Sequence, residues 1–85
     1  MGNREVIRVN VKLFVTLRKY IPDYDPEKGI NVDMKEGSTI KDLIETLGLP
    51  PNEASVIFIN GISKKTTDHI KDGCHIKIFT PLAGG

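Results

Sequence analysis

Few side chains in this sequence could perform chemistry, and the group best placed to do so is the main-chain carboxylate of Gly85. The sequence closes with Phe79-Thr80-Pro81-Leu82-Ala83-Gly84-Gly85. Glycine has no Cβ and tolerates nearly all backbone angles, so a Gly-Gly end can be threaded extended through a channel too narrow for any side chain. An ordinary frayed end is the plain alternative. Pro81 fixes φ, lacks an N–H and pushes Thr80 toward extended geometry, so the tail is predicted to leave the sheet there. A carboxylate is a poor electrophile. ATP can convert it to an acyl-adenylate whose phosphate leaves readily, and a sulfur donor can then replace the adenylate to leave a thiocarboxylate. Covalent attachment of this kind splits one difficult transfer into two easier ones. The activating machinery then has to sit on a partner.

Nothing else in the chain assembles an active site. His69 falls in a loop, while Cys74 and His75 are adjacent on a strand, point to opposite faces and cannot share one metal. Cys74 reads as a small buried apolar residue rather than a nucleophile. The sequence has no nucleophile elbow, no P-loop and no zinc-ligand pair at helical spacing. Lys64-Lys65 is most simply a solvated loop pair. Gly29, Gly37, Gly48, Gly61 and Gly73 each fall at a predicted turn or cap. The chain is expected to bind no cofactor or metal of its own and to catalyse nothing by itself.

Eighty-five residues make one domain with a modest core, too small for a deep catalytic cleft. Twelve basic and eleven acidic side chains are spread along the chain and leave a formal net charge of +1, which gives no reason to expect nucleic acid or an anionic membrane as partner. A lone cysteine excludes an internal disulfide and fits a reducing compartment. The longest apolar run, Val56-Ile57-Phe58-Ile59, is far shorter than the ~20 residues that span a bilayer. The first residues lack the apolar core of a signal peptide and the pattern for myristoylation. The chain reads as cytosolic.

The elements that must hold the tail follow from periodicity. Ile7, Val9, Val11, Leu13 and Val15 alternate with polar residues, predicting a strand with one buried face, and Phe14 places an aromatic on the other. Leu17 and Ile21 are four apart and suggest one helical turn closed by Pro22. Tyr24 to Gly29 has turn chemistry. Ile30, Val32 and Met34 predict a second strand returning along the first. Thr39-Ile40-Lys41-Asp42 has capping-box spacing, and Ile40, Leu43, Ile44 and Leu47 form one apolar stripe of a helix that Gly48 caps and Pro50-Pro51 ends. Ser55 to Asn60 predicts a third strand, Asn60-Gly61 a turn, Ile62 to Thr66 a brief return strand, and Cys74 to Phe79 a closing strand after Asp72-Gly73. Two strands, one helix and two or three further strands make an α+β arrangement, a mixed four- to five-stranded sheet covered by one main helix. Residues 1–85 form a single domain with a flexible tail from about residue 80.

Phe14 and Phe79 interrupt polar positions near the ends of their strands. If those strands are neighbours, the rings make one apolar patch on the face opposite the helix, where the tail departs. Such a patch either marks a docking surface or is covered by a loop.

From Val6 to Gly85 the chain resembles the ubiquitin-like sulfur-carrier family, and within it the small subunit of molybdopterin synthase (MoaD type), with ThiS-type carriers related. The matching residues are Val11 to Arg18, Gly37-Ser38-Thr39, Asn60-Gly61, Asp72-Gly73 and Ile76 to Gly85. The resemblance implies a ubiquitin-like β-grasp fold with the first and last strands parallel and central. It implies adenylation of Gly85 by an E1-like enzyme (MoeB or ThiF type) that uses ATP, thiocarboxylation by a sulfur donor protein, and insertion of Pro81, Leu82, Ala83 and Gly84 with Gly85 into the large synthase subunit. It places Phe14 and Phe79 at partner contacts and Arg18 near the same face; Ile62 is a further expected partner-binding residue. Two departures stand out: Thr80 replaces the first of two prolines common in the family, and Cys74 stands where an acidic residue is common.

Thiamine, tungsten-cofactor and amino-acid sulfur carriers share the fold and the ending. A protein modifier, joined through Gly85 to a target lysine, is the rival from another class. Modifiers of the ubiquitin type commonly carry arginines just before Gly-Gly, whereas Leu82-Ala83 is apolar and small. A plain interaction module with an inert tail is the third reading.

Overall fold

The computed structural model describes residues 6–81. Five strands form one mixed sheet in the order β2-β1-β5-β3-β4, with β1 Val6–Leu13, β2 Ile30–Lys35, β3 Val56–Ile59, β4 Ile62–Lys64 and β5 His75–Phe79. β1 and β5 lie parallel at the centre, and the remaining pairs are antiparallel. The helix α1, Ile40–Leu47, packs on one face. This is the ubiquitin-like β-grasp.

Alternation places Val9, Val11, Leu13, Ile57, Ile76 and Ile78 on the covered face, and all are essentially inaccessible together with Ile40 and Leu43 of α1. Sequence periodicity does not reveal the core residues in irregular segments, Leu49, Ala54 and Ile70, which the folded loops turn inward. Cys74 joins this core as a small apolar filler. No helix among the described residues is long and apolar enough to cross a membrane.

The predicted capping box is present. Thr39 Oγ1 accepts from the Asp42 N–H at 3.3 Å, and Asp42 Oδ2 accepts from the Thr39 N–H at 2.9 Å. The other unpaired donors of the first turn are also taken, since the Ile40 and Lys41 N–H groups donate to the carbonyls of Asp68 and Thr66. Gly48 closes the helix at φ 73°, the left-handed geometry of its C-cap.

The first strand is shorter than its alternation predicts. It stops at Leu13, and Val15, read from periodicity as a core residue, is 74% exposed with φ 56°. The reason is long-range. β2 begins only at Ile30, the partner of Val11, so Leu13 has no strand beside it on that side. The Tyr24 hydroxyl takes the place of the missing strand, accepting from the Leu13 N–H at 2.7 Å and lying 3.3 Å from the Leu13 carbonyl. The chain then turns out of the sheet into a 3-10 helix, Val15–Tyr20, in which Leu17 is buried; the single turn expected from Leu17 and Ile21 is this element.

Candidate functional site

The open face of the sheet changes character along the strands. At one end Arg8 and Asp33 form an ion pair at 2.7 Å across β1 and β2, and Asn10 donates to Asn31 and to the Lys28 carbonyl. In the middle Lys12 and Lys77 are register partners. At the far end the surface turns aromatic, because β1 and β5 run parallel and finish side by side.

There Phe14 and Phe79 stack, ring centroids 4.4 Å apart and planes 11° from parallel, while Phe58 meets Phe79 edge-on at 5.9 Å. The backbone joins the same residues, since the Phe14 N–H donates to the Ile78 carbonyl. Val56 pairs with Phe79 across the antiparallel β3–β5 ladder, so Val56, Phe58 and Phe79 share this face. With Val15, Thr80 and Pro81 they line an open apolar depression of about 570 Å³. Phe14, Phe58 and Phe79 are each half-buried beside it.

Arg18 borders the cluster. Its Nε donates to the Leu13 carbonyl at 3.0 Å, and its guanidinium carbon lies 5.9 Å from the ring centres of both Phe14 and Tyr24. Thr16 and Thr80 bring their hydroxyls within 3.4 Å, linking the 3-10 helix to the root of the tail.

Phe14, Phe79, Arg18 and Pro81 are therefore brought together. Ile62 is not. It pairs with Ile59, whose side chain faces the core, so the register puts Ile62 on the opposite face, where it is 61% exposed beside Cys74 and His69. Phe58 is the member that sequence reading missed. Its signal was available: in an antiparallel β3–β5 ladder, positions 56 and 58 share the face of 77 and 79. Leu82, Ala83, Gly84 and Gly85 lie outside the described residues.

The other polar candidates occupy structural posts. His69 Nδ1 is 2.9 Å from the Gly37 carbonyl, and His75 lies exposed on the open face. Among the described residues no three of histidine, cysteine, aspartate and glutamate are grouped to hold a metal ion.

The family model described as Mut7-C ubiquitin matches residues 6–82, the whole of the sheet and helix. The chain belongs to this family. Solved structures agree on the fold. The HVO 2177 protein of Haloferax volcanii is 19% identical with a TM-score of 0.77, covering 100% of this chain and 92% of its own. A putative molybdopterin converting factor, subunit 1, from Pyrococcus furiosus is 23% identical with a TM-score of 0.69, covering 89% of this chain and 99% of its own. SAMP1 from Haloferax volcanii is 20% identical with a TM-score of 0.66, covering 92% and 99%. At such identities the likeness is one of fold. No curated protein matches the chain.

Proposed function

We propose that the chain is a sulfur carrier of molybdopterin biosynthesis, working as the small subunit of a molybdopterin synthase. The observation that carries the reading is the aromatic platform of Phe14, Phe58 and Phe79 at the root of a segment ending in Gly84-Gly85. A docking surface there holds a partner against the fold while the narrow tail enters the partner's site. An oxygen of the Gly85 carboxylate attacks the α-phosphorus of ATP in an E1-like enzyme and pyrophosphate leaves. Hydrosulfide, already released from its donor protein, then attacks the acyl carbon, AMP leaves with that oxygen, and the thiocarboxylate is carried to the large synthase subunit. A putative molybdopterin converting factor subunit shares this fold, which supports a carrier scaffold of this kind.

The match to a ubiquitin-type family favours a second reading, a modifier joined through Gly85 to lysines of target proteins. Intact mass of chain purified from its native host separates the two. A carrier shows a fraction in which one terminal oxygen is replaced by sulfur. Unmodified chain accompanied by lysine conjugates overturns the carrier reading. One residue added after Gly85 is expected to abolish transfer and leave the melting temperature unchanged.

A further inference from the structure

Val15 is anomalous in two independent respects. It is the most exposed large apolar side chain among the described residues, at 74%. It also holds φ 56°, a conformation that a β-branched residue adopts only against steric resistance and that asparagine or glycine takes readily. A position chosen for stability alone would carry one of those residues. The end of β1 accounts for the turn but not for the choice of a β-branched, exposed side chain within it, and retained backbone strain concentrates at functional contacts.

Its location supplies the contact. Val15 lines the depression that also contains Phe58, Phe79 and Pro81, and the turn at Val15 lifts its side chain at the edge of the aromatic surface. The charge around that surface has one sign. Arg18 lies against Phe14, and Lys12 and Lys77 occupy the register row next to the stacked rings. Arg8–Asp33 at the other end of the face is the only ion pair among the described residues, and Glu53 accepts from the Tyr20 hydroxyl, so these three cations have no carboxylate partner within the described fold.

We propose that Val15 is a docking anchor that packs against an apolar face of a partner protein whose flanks carry carboxylates facing Arg18, Lys12 and Lys77. The inference rests on the docking part of the function proposed above and on none of its chemistry. It assigns the strain at residue 15 to recognition, and it gives the partner a sign of charge.

The test titrates the isotopically labelled full chain with two amphipathic peptides of equal length. Both have leucine and phenylalanine on one face; one has glutamate on the other face and the second has lysine. The glutamate peptide is expected to shift the amide resonances of Val15, Phe58 and Phe79 and to bind at least threefold more tightly than the lysine peptide. Val15→Asn is expected to raise the melting temperature by about 4–8 °C as the strain is relieved, yet to weaken that binding at least threefold. Val15→Ile keeps the anchor and binds as the parent chain does. Equal binding of the two peptides, undiminished binding by the stabilised Val15→Asn chain, or a Val15→Asn chain that melts no higher than the parent each overturns the proposal. Because the titration does not involve Gly85, a chain that binds but is never thiocarboxylated refutes the carrier chemistry and leaves the anchor standing.

Discussion

The stacking seen at Phe79 and the docking proposed for it can be separated by substitution. Its ring stacks on Phe14 and receives the edge of Phe58, yet it remains partly open to solvent on the face away from the core. Aromatic pairs contribute about 0.5–1.5 kcal/mol beyond area burial, whereas a central docking residue commonly costs about 2 kcal/mol or more of binding when truncated. Phe79→Ala is therefore expected to lower the melting temperature modestly and, if the proposed function holds, to weaken association with an adenylating partner by tenfold or more, about 1.4 kcal/mol for each factor of ten. Calorimetry beside a binding titration checks both. A collapse in stability with binding unchanged would place the ring in the core instead. The pairing of Phe14 with Phe79 was readable in the sequence because each breaks a strict alternation. The fate of Val15 was not, because it depends on Tyr24 reaching back across the chain to close the end of β1, a contact that no local window contains.

Among the elements, α1 and the β1–β2 connection depend on specific local chemistry. Thr39→Ala removes the acceptor for the Asp42 N–H and is expected to cost about 1 kcal/mol, read from denaturant unfolding. Gly29 is a sharper case. It has φ 72°, and a Cβ built there would stand 2.5 Å from the Val11 carbonyl oxygen and 2.9 Å from Lys12 Cγ. Gly29→Ala thus adds a clash with backbone to the roughly 1–2 kcal/mol cost of a left-handed non-glycine residue, and is expected to destabilise by more than Thr39→Ala. The capping box, the apolar stripe and the period-two strands were all legible, since each is dictated by residues within a few positions of one another. That Ile62 lies apart from the aromatic cluster could not be read locally, because its face is set by pairing with Ile59 across the Asn60-Gly61 turn, and a three-residue strand carries too little alternation to announce that.

The response of the whole fold to acid follows from two carboxylates. Asp33 is held below the usual carboxylate range first by its hydrogen bond to Arg8, and Asp42 by the Thr39 backbone N–H and then the Thr39 side chain. A carboxylate whose folded pKa is depressed contributes stability above its unfolded pKa, about 3.9, and loses it as pH falls through the folded value. The melting temperature is expected to be flat near neutrality and to fall below about pH 4. Asp42→Asn should flatten that fall while lowering stability at pH 7. An unchanged acid profile would remove the capping carboxylate from the account. Both groups are solvent-accessible, so the contribution of each is small and screened by salt.

The parallel pairing of β1 with β5 gives the sheet a direction. Val6 and Leu13 are seven residue steps apart, about 23 Å at the usual rise per residue, and β5 then runs the same way to finish beside Phe14. Val6 therefore stands a full sheet height from the aromatic end. A fluorophore bonded to residue 6 itself begins at that distance from the surface it would report on.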